Sequence, residues 1–218
     1  SAVMIPRIGN YFAQQKMEEV KEYLYKSYQY VWAVAIPISF GLIGISDNLV
    51  PWFLGADYEK VSVLLKILAL LLISIGINTI TGNEYMIPTN RQKLYTKTVF
   101  VGAIVNVCLN AVLIPRLYSV GAAIASVIAE TTIAGYQLYL TRRELAINEI
   151  LKRSIKYLCA GVTMLFVLRV ENLYLGPSPL HTGIMIMTGA AIYGLMQIVL
   201  KDRFIIDNLK VGMKILHR

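Results

Sequence analysis

Cysteine and histidine are scarce in this 218-residue chain, two of each, and Asp, Glu, Lys and Arg together make only 16% of it. Cys108 and Cys159 both lie in apolar runs, where a thiol packs as a small hydrophobe, so neither a disulfide nor a cysteine-based metal site is expected. His181 and His217 stand alone at the ends of such runs. There is no HExxH, no GxSxG, no phosphate-cradling glycine loop and no sizeable loop with paired carboxylates. These absences argue against an enzyme, so no catalytic residue, no metal and no resident cofactor is nominated. The opening "SAVMIPRIG" is too short, and too soon broken by Pro6, to be a signal peptide. A net charge of +8 does not point to nucleic acid, because the cations fall between apolar runs rather than in one patch beside exposed polar or aromatic groups.

What the chain has in abundance is apolar surface, 56% of its residues. Crossing about 30 Å of hydrocarbon takes roughly 20 apolar residues in a helix. Six segments qualify: Val31–Phe53, Val63–Asn83, Thr98–Ile114, Tyr118–Leu140, Ser154–Val170 and Thr182–Leu200. A lone strand would leave its backbone unpaired in lipid, so the fold class is an all-α polytopic membrane bundle of six transmembrane helices. Lys and Arg alternate strongly between successive connections, with seventeen on one side and three on the other, leaving aside Lys66 within the second span. Cytoplasmic loops retain positive charge, which places both termini in the cytoplasm. Tyr23, Tyr25, Tyr28, Tyr30 and Trp32, in the mixed stretch that leads into the first span, read as an interfacial aromatic belt, with sugar stacking as the alternative.

Glu130 falls near the middle of the fourth span, where an ionised carboxylate needs a partner, a proton or water. At helical spacing it shares a face with Ala122, Ser126, Ala134 and Gln137, while Ile124, Ile128 and Tyr139 lie elsewhere around the helix. Small residues allow close helix contact, so this face looks into protein or a watery cavity. Two readings stand: a protonated acid stapling two helices, or a site on an ion or substrate pathway. Asn106 and Asn110, one turn apart on the third span, are the expected partners of Glu130, since a short break makes the third and fourth spans antiparallel neighbours. Lys66 can snorkel to the outer interface or line a cavity, and Asp47, near the outer end of the first span, is either wet or on the same pathway. Pro37, Gly41 and Gly44 could bend the first span as a gate or simply pack. Arg91 and Lys93 could contact phosphate or serve only to orient the chain.

Four stretches, "SAVMIPRIG", "VPWFLGADYEKVSVLLKILAL", "GNEYMIPTNRQKLYTK" and "NVCLNAVLIPRLYSVGAAIASVIAE", occur in an order that resembles the C-terminal part of the bacterial Wzx-like polysaccharide flippases. That family belongs to the superfamily of MATE-type multidrug exporters and lipid II flippases. The resemblance covers about two thirds of the chain. It implies that residues 1–146 are a cytoplasmic segment and four helices of a MATE-like C-terminal lobe, and that residues 147–218 add two helices and a basic tail. It further implies that the chain is a fragment whose N-terminal lobe is missing. The implied activity is movement of undecaprenyl-pyrophosphate-linked oligosaccharide across the bacterial cytoplasmic membrane for surface polysaccharide synthesis, with polysaccharide polymerase machinery as a partner and a proton or sodium ion as the coupling species. The alternatives are an ion-coupled exporter of small amphiphiles, a glycolipid-assembly enzyme and a non-transporting scaffold. With Lys66 the one base well inside a span and Glu130 an acid, cations for pyrophosphate would belong to the missing lobe.

Overall fold

The computed structural model describes residues 4–201. The first three residues of "SAVMIPRIG", the tail cations Arg203, Lys210, Lys214 and Arg218, and His217 lie outside the described residues. Among the described residues every regular element is helical. A short helix α1 (Met4–Ala13) leads into α2 (Met17–Phe53). A single 3₁₀ turn (Ala56–Tyr58) precedes α3 (Glu59–Ala69) and α4 (Leu71–Asn78), and α4 runs on into a π-helical segment (Thr79–Met86). Then come α5 (Gln92–Thr141), α6 (Ile147–Tyr174) and α7 (Pro179–Val199).

Four stretches, Met17–Phe53, Ala56–Met86, Gln92–Thr141 and Pro179–Val199, are long and apolar enough to cross a bilayer. One of them accounts for two of the expected spans. Fifty residues of straight helix would extend about 75 Å, far beyond the hydrocarbon, and α5 does not run straight. Tyr118 takes φ 51° and ψ −127°, breaking the helix into two arms. The arms fold back on each other: Gln137 Nε2 donates to Thr98 Oγ1 at 3.3 Å across 39 residues of sequence. Thus the expected third and fourth spans are antiparallel neighbours, but the chain turns at Tyr118, and Pro115 stays within helical structure. The expected fifth span lies within α6, whose 28 residues would cover about 42 Å, with Lys152, Arg153 and Lys156 toward one end and Arg169 and Glu171 toward the other.

Helix α2 is the axis of the bundle. Val20, Leu24, Tyr28, Trp32 and Ile36 are buried at strict four-residue spacing, one face of a helix, and α2 packs against α1, α3, α4, α6 and α7. The α5 hairpin sits outside α3, α4 and the π segment, while α6 and α7 pair on another flank of α2. This arrangement overturns part of the belt reading. Tyr28 and Trp32 stack on each other inside the core, with ring centroids 6.2 Å apart; Tyr30, at 63% exposure, does face outward. Tyr28 Oη lies 2.5 Å from Thr81 Oγ1. Because Thr81 already donates to the Ile77 carbonyl at 2.9 Å, Tyr28 is the donor. That bond ties α2 to the π segment.

At the hairpin tip, a Cβ on Gly121 would stand 2.5 Å from the Leu113 carbonyl oxygen and 2.6 Å from its carbon. Backbone cannot yield as a flexible side chain can, so the close approach of the arms depends on this glycine. Gly135, on the same arm, has nothing within 4 Å of its would-be Cβ. Gly121→Ala is expected to cost about 2 kcal/mol and Gly135→Ala to be neutral or stabilising by about 0.5 kcal/mol. Thermal unfolding of the two variants in detergent checks the contrast.

Candidate functional site

The hairpin meets α4 through paired polar side chains. Ser74 Oγ and Thr131 Oγ1 share a hydrogen bond of 2.9 Å. One turn on, Asn78 Nδ2 donates to Glu130 Oε2 at 2.5 Å and to the Glu130 carbonyl oxygen at 3.3 Å. Beyond the π segment, Tyr85 Oη donates to Glu144 Oε2 at 2.5 Å, the same oxygen is paired with Arg91, and the Arg91 guanidinium stands 5.4 Å from the centre of the Tyr85 ring. Each polar group inside hydrocarbon needs such a partner.

Beside this seam opens a groove of about 390 Å³ between α4 and the two arms of α5. Asn106, Ser126 and Glu130 supply its polar wall, and Glu130 is the one charged residue lining it. Ser126 and Glu130 therefore share a face, as their spacing requires. Gln137, on the same side, is fully buried and bound to Thr98, while Ile128 and Tyr139 are exposed at 42% and 58%. The asparagines behave differently from expectation. Asn110 Nδ2 donates to Asn106 Oδ1 at 2.8 Å, since residues one turn apart on one helix reach each other before they reach another helix. The partner of Glu130 is Asn78.

At the opposite end of the bundle a second cluster forms around Asp47. Its Oδ1 accepts from Lys66 Nζ and from Ser62 Oγ, each at 2.5 Å, and its Oδ2 accepts from Arg169 at 2.7 Å. One carboxylate on α2 thereby holds α3 and α6. Lys66 does not simply snorkel to water, and Asp47 is not merely wet. Next to it the buried Asn48 donates to the carbonyls of Leu175 and Gly176 at 3.0 and 2.9 Å and accepts from Thr182 at 2.7 Å. This fastens the α6–α7 connection to α2.

The family model described as lipid II flippase MurJ matches residues 1–192. The chain belongs to that family. The match extends beyond residue 146 and supports a flippase of the broader superfamily rather than the Wzx-like branch in particular. A curated relative, described as probable low-salt glycan biosynthesis flippase Agl15 from Haloferax volcanii, is 22% identical over 129 residues, which are 59% of this chain and 27% of that protein. The chain thus spans about a quarter of the relative it matches.

Set in this MurJ-family frame, the remaining candidates separate by what they touch. Arg91 is engaged by Glu144, whereas Lys93 is exposed. Gly44 is a packing residue, since a Cβ there would come within 2.8 Å of Leu168. Pro37 and Gly41 line an apolar cleft of about 290 Å³ between α2, α6 and α7, and α2 continues as helix through Pro37. Sequence reasoning missed Asn78, Ser74, Thr131 and Glu144. Their signal was periodic: Ser74 and Asn78 are four apart on α4, opposite the adjacent pair Glu130 and Thr131.

The Asp47 hub yields a quantitative expectation. Its members are a quarter to two-fifths exposed, so solvent screening limits each pair, and a double-mutant cycle of Asp47→Asn with Lys66→Met should give a coupling of about 1 kcal/mol. Equilibrium unfolding in detergent measures it.

Proposed function

We propose that this chain forms part of a transporter, not an enzyme, that flips lipid-linked oligosaccharide across the bacterial cytoplasmic membrane for surface polysaccharide synthesis. The observation that carries the reading is Glu130, a carboxylate held within a span by Asn78 at the wall of a groove, in a chain of the lipid II flippase family. An acid so placed can take up a cation or proton on one side of the membrane and release it on the other as the groove changes access. That exchange would couple an ion gradient to substrate movement. A proton fits a lone carboxylate; sodium is the other candidate.

On this reading both termini are cytoplasmic, as the alternation of Lys and Arg requires. Residues 1–146 contribute the flippase lobe, and residues 147–218 the added helices and tail. The groove faces a further lobe of the same protein, which supplies cations for pyrophosphate. Lys93 is positioned to meet phosphate at the cytoplasmic surface, Pro37 with Gly41 marks the bend of a gate, and polysaccharide polymerase machinery takes the product.

One observation favours a second reading. The groove carries an acid and no base, which suits a cationic amphiphile better than a pyrophosphate, so an ion-coupled exporter is the alternative. Depleting the full-length protein separates them: a flippase leaves lipid-linked oligosaccharide in the inner leaflet, while an exporter leaves it unchanged and alters drug sensitivity. In the full-length protein, Glu130→Gln should lower flipping at least tenfold and flatten its dependence on pH, measured as leaflet-resolved glycolipid in vesicles. Unchanged activity and pH dependence would remove the coupling role.

A further inference from the structure

Asn78 does more than join α4 to α5. Its Nδ2 is shared between Glu130 Oε2 and the Glu130 carbonyl oxygen, but its Oδ1 is buried and accepts no hydrogen bond among the described residues. A buried acceptor without a donor is costly and calls for an explanation. The orphaned oxygen belongs to the amide already bonded to a carboxylate, which when ionised is itself an acceptor with nothing to donate.

We propose that Asn78 is a positioning residue for proton uptake at Glu130, bonding the carboxylate through Nδ2 when the proton is absent and accepting from the carboxylic acid through Oδ1 when it is present. This inference rests on the reading of Glu130 as the coupling acid. In the protonated state Nδ2 keeps the Glu130 carbonyl oxygen, so a small rotation of the amide changes one bonding pattern into the other. The proton arrives from water on one side, forms the O–H bond of Glu130 and leaves to water on the other side as the carboxylate is restored. Asn78 gains and loses nothing. Both protonation states then have a satisfied partner on α4, and neither drives the helices apart.

The surroundings isolate the pair. No other charged or titratable group lines the groove. On the packed elements, Lys66 of α3 is held by Asp47, and Tyr85 and Arg91 are held by Glu144. Glu84 is buried in the π segment, Glu59 and Lys60 start α3 on exposed positions, and Lys93, Lys97 and Arg116 are exposed near the ends of the first α5 arm. Asn78 is also the last α-helical residue before the π segment, the kind of helix irregularity that recurs at functional sites.

The test uses the full-length protein in vesicles of phosphatidylethanolamine and phosphatidylglycerol, with a fluorescent polyprenyl-pyrophosphate glycan as probe and flipping measured across pH. A bond to a charged acceptor is worth more than one to a neutral acid, so Asn78→Leu should make protonation easier and displace the profile toward alkaline pH by about one unit, a tenfold change. Asn78→Asp keeps the size and places a second carboxylate beside the first; two such groups share one proton, and the displacement should be larger. If the leucine variant does not assemble, the aspartate variant decides. A variant profile superimposed on wild type, with Glu130→Gln flat, would overturn this inference alone. A wild-type rate indifferent to pH would overturn the reading of Glu130 as well. A rate that follows sodium at fixed pH, and ceases to in Asn78→Leu, would give the orphaned oxygen to a metal ion and contradict the proton.

Discussion

A polar side chain inside a bilayer must be answered by another protein group, because hydrocarbon offers no hydrogen bond. That constraint organises the side of the bundle built by α4, the π segment and α5. From Ser74 to Tyr85, α4 and the π segment set down polar groups against Thr131 and Glu130 of the α5 hairpin and Glu144 just beyond it, while Thr81 turns the other way to receive Tyr28 of α2. The segment between is bonded on both flanks. Its π-helical stretch, with backbone bonds such as that from Ile87 to Gly82 spanning five residues, is the local distortion that accompanies these two sets of contacts.

Two charge clusters bracket the bundle. At one end Asp47 gathers Lys66, Ser62 and Arg169 from α3 and α6; at the other Glu144 gathers Tyr85 and Arg91. Each joins elements that are remote in sequence, and each places its acid where the helices approach their ends. Between them Glu130 is the one charged residue lining its groove, held by an amide rather than by a cation. The contrast is physical. A paired acid is fixed, whereas an acid held by an amide can change its protonation without leaving a buried counter-ion behind.

Much of the fold was legible in the sequence because lipid allows few alternatives. Long apolar runs had to be helices, and the three residues between the third and fourth spans allowed only a hairpin. Glu130 announced itself as a charge in an apolar run. The face it shares with Ser126 and Gln137 followed from a period of 3.6 residues. What escaped had local causes. Asn78 sits in "SIGINTIT" near the end of its span and reads as a residue approaching water, and the breaks after Ala69 and Asn78 upset the regular phase that would have aimed it at Glu130. Asn106 and Asn110 were aimed wrongly because neighbours one turn apart satisfy each other. Tyr28 and Trp32 were assigned to the interface by residue type, although their spacing with Val20, Leu24 and Ile36 already described a buried stripe.

Polar contacts lace α4 and the second arm of α5 face to face. Cysteines at Ser74 and Thr131, with Cys108 and Cys159 replaced, measure this directly in native membranes. With the two hydroxyls 2.9 Å apart, the account predicts rapid disulfide formation on mild oxidation, and none when the second cysteine replaces Ile133, which lies across the helix from Thr131 and against Gly102 of the first arm. Efficient cross-linking at 133 with none at 131 would contradict it.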